Sequence, residues 1–192
     1  LHLCNKNFPN MNSNDSSKAK HDLLADVCLA AKFEGESIKH YSEKYDLKYP
    51  SSGSSFTTCT MLARSFADIG DIIRGKDLYR GNNKEKKQRE QLESKLKEIF
   101  KNIKKENNSK LTNLNDDQIR EYWWALNRET VWKAMTCSEH LKNSAYFRPT
   151  CSMNGSGAQA NKYCRCNGDQ PGDDKPNTDP PTYFDYVPQF LR

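Results

Sequence analysis

Cys59-Thr-Met-Leu-Ala-Arg-Ser-Phe-Ala-Asp-Ile-Gly-Asp-Ile-Ile-Arg-Gly-Lys-Asp-Leu-Tyr79 is the stretch that decides the fold. Cys59, Leu62, Phe66, Ile69 and Ile73 recur at three- and four-residue steps, which places them on one face of a helix. Arg64, Ser65, Asp68 and Asp71 take the other side. Gly75 closes the helix, because a left-handed residue is needed there and glycine has no Cβ to resist it. The pattern predicts an amphipathic helix with a cysteine inside its core stripe.

The flanking sequence is also helical. A helix is predicted from about Ser17 to Phe33, with Leu23, Leu24, Val27, Cys28 and Ala31 inward and Gly35 as its stop. A second, short helix is expected over Glu36–Tyr45. Residues 5–17 are rich in Asn and Ser and predict a loop, and Tyr49-Pro50-Ser51-Ser52-Gly53-Ser54-Ser55 is a linker. Between Asn82 and Asn108 lies a strongly charged helix with a thin stripe of Leu92, Leu96, Ile99 and Ile103. Asn115-Asp116-Asp117-Gln118 is a capping box, and it opens a helix to about Met135. Ile119, Trp123 and Leu126 share one side of that helix, and Trp124, Val131 and Trp132 widen the apolar surface. After Cys137 the helical signals fade. Residues 150–182 are expected to form a disulfide-stapled loop, with mobility concentrated in the acidic, Pro-rich stretch from Asp173 to Pro181.

A chain of 192 residues, 35% hydrophobic and 29% charged, fits one domain or a large part of one, with long solvated loops. No run approaches the roughly 20 apolar residues needed to span a bilayer, and no basic, apolar leader is present. The sequence begins without Met, inside a motif, so a fragment is expected, with any signal and anchor elsewhere in the polypeptide.

Cys4, Cys28, Cys59, Cys137, Cys151, Cys164 and Cys166 occur without a redox or nucleotide motif, which points to an oxidising compartment and a disulfide framework. Their pairing cannot be read from sequence, and the odd count leaves one partner to be found elsewhere. Cys164 and Cys166 are not expected to pair with each other. A zinc site assembled from Cys137, His140, Cys151, Cys164 and Cys166 fits less well, because the spacings lack two short ligand pairs.

Charge is concentrated. From Lys84 to Lys110 there are ten Lys or Arg and five Glu, a net of +5 that equals the net charge of the whole chain. Lys84, Lys86, Lys87, Arg89, Lys95, Lys97, Lys101, Lys104 and Lys105 form the candidate glycan-binding set. Such a run binds a polyanion by releasing its counterions, and sulfated glycans are the polyanions that an exported protein meets. The competing reading is a solvated helix face of interleaved Glu and Lys. No catalytic residue is assigned, since His2, His21, His40 and His140 sit in no nucleophile, phosphate-loop or paired-acid motif. No cofactor is expected. Tyr122, Trp123, Trp124 and Trp132 could stack on sugars or bases if exposed, but their helical spacing favours core. The Asn-x-Ser sites at Asn14, Asn107 and Asn154 mark exposed positions.

Several blocks taken together resemble one family. Leu62 to Tyr79 closely resembles the signature block of the alpha-class Duffy-binding-like domain, in its central tag region. That domain heads the erythrocyte membrane protein one family of Plasmodium falciparum. Residues 1–4, residues 23–35, Arg120–Arg128, Cys164-Arg165-Cys166 and Asp185–Arg192 are similar to further family blocks and follow in the family's order. The resemblance implies a mainly α fold, a disulfide-stabilised helical bundle with long cysteine-tied loops. It also implies a partial domain: residues 1–55 ending a first subdomain, 56–182 forming a central one, and 183–192 beginning a third. On this reading Cys28, Cys59, Leu62, Phe66, Ile69, Trp123 and Leu126 are scaffold. Residues 82–113 and 138–182 vary and contact partners.

The implied function is an adhesion module of a variant antigen on the surface of the infected red cell, extracellular and non-enzymatic. Its implied partners are a host receptor or sulfated glycan, a neighbouring cysteine-rich domain, and antibodies. Cys137, Cys151, Cys164 and Cys166, with Arg120-Glu121-Tyr122, are similar to the subtype linked to endothelial binding through that neighbouring domain. Without a further subdomain, Tyr183, Phe184, Tyr186 and Phe190 are expected to be exposed. Two other classes stay open, a scaffold without its own ligand and a lysine-rich nucleic-acid-binding module. The cysteine count argues against the second.

Overall fold

The computed structural model describes residues 19–48, 56–78, 82–111, 113–151 and 157–192. Cys4, the expected 5–17 loop and the 49–55 linker lie outside them. Among the described residues five helices carry the fold: α1 (Ala19–Lys48), α2 (Phe56–Arg74), α3 (Asn83–Glu106), the single turn α4 (Asn108–Leu111) and α5 (Asp116–Met135). Three short 3-10 turns follow, at Glu139–Leu141, Phe184–Tyr186 and Gln189–Leu191. The chain is mainly α, and no strand forms among the described residues beyond two isolated bridges.

The first two predicted helices are one. Gly35 does not stop α1; it lies buried in its middle, where an added Cβ would run into the Met135 carbonyl of α5. Glycine costs a helix about 1 kcal/mol relative to alanine, but here its missing side chain lets two helices touch backbone to side. Leu23, Val27, Cys28 and Ala31 share that buried face.

α2 buries the predicted stripe: Cys59, Leu62, Phe66 and Ile73 are inside, and Ile69 is packed against the cluster. Gly75 closes the helix at φ +70°, and a Cβ there would press on the Arg120 guanidinium at 3.1 Å. Phe66 sits between Trp124 and Trp132 of α5, with ring centroids 5.1 and 5.2 Å apart. The three tryptophans are therefore core, while Tyr122 is exposed. Leu126 departs from expectation: it is 74% exposed. α3 covers that side of α5 only over its first turns, where Phe100 meets Trp123 at 6.1 Å.

The segment after α5 wraps back over the bundle. Cys59 is joined to Cys164 across 105 residues, and Cys151 to Cys166 across 15. A loop of that shorter length is worth about 3 kcal/mol of chain entropy once closed, and the longer one more. Arg165, between the two tail cysteines, caps the end of α5. It donates to the Lys133 carbonyl at 2.7 Å and the Thr136 hydroxyl at 2.8 Å, which places a cation at a helix C-terminus. Asp169 and Asp174 pair with it. The stretch expected to be mobile is instead built in. Asp174 is held by Arg165, the Lys175 amide donates to Asp169 at 2.6 Å, and Thr178 and Pro180 are buried.

Candidate functional site

α3 starts on a capping box. Asn82 accepts from the Lys84 and Glu85 amides, and the Glu85 side chain accepts from the Asn82 amide. The helix is anchored by Leu96, Phe100 and Ile103. Leu92, expected in the same stripe, is 44% exposed, so the bundle grips α3 mainly from its middle onward.

The nine candidate cations do not form one equivalent set. Arg89 is half-buried and paired with Asp77. Lys104 is turned inward, donating to the Leu114 carbonyl at 2.7 Å with Asp116 3.9 Å away. Lys86 stands 4.0 Å from Glu90, and Lys97 stands 3.9 Å from Glu93. Lys97 and Lys101 also line a groove of about 680 Å³ between α3 and α5, whose other walls include Glu93, Glu98, Asp116 and Asp117. Lys84, Lys87, Lys95 and Lys105 are exposed and form no ion pair among the described residues.

The largest electrostatic feature was not anticipated from the sequence, and it is buried. Arg128 forks onto Asp185, with Nε and Nη2 at 2.9 and 3.0 Å from its two oxygens. The Trp124 indole donates to the same carboxylate at 2.9 Å. Arg74 pairs with Asp71 at 3.0 Å and donates to the Asp185 carbonyl. Arg192 reaches back to Asp68 and Asp71. Asp71, placed on the solvent side by periodicity, is buried because this closing segment covers it.

Burial works against the Arg128 charge, but the bond and charge of Asp185 outweigh it and raise its pKa. Arg192 follows the same logic with Asp68 and Asp71. Further along the segment, Tyr183, Tyr186, Phe190 and Leu191 are exposed, while Phe184 is partly buried against the core. The one sequence signal for this network was position: all its charged members lie in three of the six family-like blocks, residues 62–79, 120–128 and 185–192.

Among the described residues no group of three or more His, Cys, Asp or Glu is placed to hold a metal ion, and Cys151, Cys164 and Cys166 are in disulfides. Nor is any helix among them long and apolar enough to cross a membrane.

The family model of the Duffy binding domain matches residues 1–192. Among solved structures, the chain is similar to the N-terminal NTS-DBL1-alpha and CIDR-gamma double domain of PfEMP1 from the Plasmodium falciparum varO strain. Identity is 35% and the TM-score 0.65, covering 89% of this chain and 23% of that one. The NTS-DBL1(alpha-1) domain of the same strain matches at 34% identity and TM-score 0.60, covering 89% and 36%. A DBLb domain of a PfEMP1 protein bound to human ICAM-1 matches at 30% identity and TM-score 0.51, covering 75% and 29%. The chain thus spans about a quarter to a third of the length of these structures. No curated protein matches it.

Proposed function

The chain belongs to the Duffy binding domain family, and on that premise we propose that it is an adhesion module of a PfEMP1-type variant antigen, displayed on the infected erythrocyte. It contributes to binding a host receptor or sulfated glycan, and it presents variable surface to antibodies. The observation that carries this reading is a related DBLb domain, 30% identical, solved bound to human ICAM-1. The exposed lysines of α3 favour a sulfated glycan as the ligand of this region. The subdomain division at about residues 55 and 182 belongs to the same proposal.

The test is retention of the oxidised chain on immobilised heparin as salt is raised. Retention that falls log-linearly with salt is expected for a polyanion contact. Passage through the column in low salt would remove the glycan from the proposal. A second reading, a scaffold for a neighbouring cysteine-rich domain, is favoured by the relative solved as a double domain with CIDR-gamma. It predicts host-receptor binding only when that neighbour is attached.

A further inference from the structure

We propose that the polyanion site of α3 is confined to a patch on its first half, formed by Lys84, Lys87 and Lys95 with Gln88, Gln91 and Ser94. Of the other cations, Lys86 and Lys97 stand beside acids of the helix itself, Arg89 is paired with Asp77, and Lys104 is turned to the Leu114 carbonyl and Asp116. This deepens the glycan reading above and rests on it.

The helix geometry sorts the charges. At 3.6 residues per turn, Lys84, Lys87, Gln88, Gln91, Ser94 and Lys95 fall within an arc of about 120°. No acidic residue from Lys84 to Lys95 lies in that arc; the first to fall in it is Glu98, three positions past Lys95, which also lines the groove with Lys97 and Lys101. Lys86, Glu90, Glu93, Lys97, Lys101 and Lys104 fall within a second arc of about 80°. The second arc faces α5: Glu93 binds Arg120 at 2.7 and 3.0 Å, and Lys104 binds the Leu114 carbonyl. Its cations therefore work in a field of carboxylates from Glu90, Glu93, Glu98, Asp116 and Asp117. The first arc turns away from α5, and its six residues are all exposed.

Its neutral members suit a sugar. Gln88 and Gln91 each offer an amide donor and acceptor. Ser94 gives its proton to the Glu90 carbonyl at 2.8 Å, which leaves its oxygen free to accept a hydroxyl. Lys87, Glu90, Gln91, Ser94 and Lys95 edge a shallow dish of about 610 Å³, open to solvent. Lys84 and Lys95 stand about 16 Å apart along the axis, so the patch fits a short sulfated oligosaccharide lying along the helix. Lys105 stands about 15 Å farther on, beside Glu106.

Two variants of equal charge separate this from a general attraction to a basic helix: Lys84→Gln/Lys87→Gln/Lys95→Gln and Lys86→Gln/Lys97→Gln/Lys101→Gln. All six side chains are exposed, and circular dichroism with a thermal melt checks that both variants stay folded. Affinity for heparin is measured by titration across a salt series. For three phosphate-like contacts the log–log salt slope is about 2, against about 6 if all nine cations bind. The first variant is expected to lose about tenfold or more in affinity at physiological salt and nearly all of the slope. The second is expected to change by about twofold or less. Equal losses, a larger loss in the second variant, or a wild-type slope near 6 would overturn the patch while leaving the glycan reading intact. No heparin binding by the wild-type chain would overturn both. Displacement by single-stranded polynucleotide at lower charge concentration than by heparin would instead make the patch a nucleic-acid contact.

Discussion

Along α3 the cations are mostly lysines that point into water, whereas around Asp185 they are arginines sealed beneath tryptophan and tyrosine rings. Arg128 lies within 6 Å of the ring centroids of Phe66, Tyr183 and Tyr186. The fork of a guanidinium can satisfy a carboxylate with two bonds and still stack, which a lysine ammonium cannot do. Lysine keeps its charge hydrated and adaptable. The two regions therefore teach that charge count says little about role; what matters is whether each charge is given a fixed partner. One region holds distant chain segments together, and the other leaves its charge available.

The largest test of that contrast is Asp185→Ala. It strips Arg128 and Trp124 of their shared acceptor and leaves the buried guanidinium only the exposed Asp179 carboxylate at 3.9 Å, a loss expected to cost about 3–5 kcal/mol. Urea denaturation should show it as a shift in midpoint. A loss below about 1 kcal/mol would mean that the network is incidental and the comparison false. Gly70→Ala probes the same network from beneath. An added Cβ would lie 2.8 Å from the Trp124 ring, displacing the indole that bonds Asp185. Helix propensity alone predicts a gain of about 1 kcal/mol, but overpacking predicts a loss of about 1–3 kcal/mol. The sign of the change in melting temperature decides between them. The exposed Ser94→Ala on α3 should stay within about 0.5 kcal/mol.

A smaller effect comes from pH. The Tyr186 ring is about half exposed, but the part that is covered holds its phenol above the usual range, with Asp185 and Glu121 adding to it and Arg128 and Arg74 opposing. The folded chain therefore keeps this proton longer than the unfolded one. Its contribution to stability is intact below the ordinary phenol pKa of about 10 and is lost as pH rises through the folded value. Melts of Tyr186→Phe between neutral and alkaline pH should show a shallower decline than the parent. An identical decline would place the alkaline sensitivity elsewhere.

What could be read in the sequence divides along the same line. α2, α3 and α5 were legible because their stripes are local, as are the cap at Asn115 and the stop at Gly75 that bound α5 and α2. The basic segment was legible as a count but not as two faces, since the partners of Lys97 and Lys104 depend on where α5 lies. The break expected at Gly35, the inward Leu126 and the outward Asp71 were set by segments far off in the chain. Met135 lies a hundred residues beyond Gly35, and Arg192 is separated from Asp71 by 121 residues. The cysteine pairs were hidden for the same reason, because tertiary packing alone brings Cys164 to Cys59.

The smallest predicted effect bears most directly on α3. Lys86 precedes Glu90 by four residues, the weaker orientation of such a pair with respect to the helix dipole, and their charges stand 4.0 Å apart in water. A double-mutant cycle on Lys86→Ala and Glu90→Ala should give a coupling of about 0.3 kcal/mol or less. It should vanish near 1 M salt, where the screening length falls to about 3 Å. Glu93 offers the contrast on the same helix, because it reaches Arg120, whose side chain is only 4% exposed. Its coupling to Arg120 should survive that salt, since a partly buried pair is screened far less. If both couplings disappear together, Arg120 is solvated and its pair with Glu93 does not help to hold α3 to the bundle. If the Lys86–Glu90 coupling persists, the acids of α3 restrain its lysines more firmly than hydrated charges can. The second arc of the helix would then be still less available to a ligand than its geometry implies.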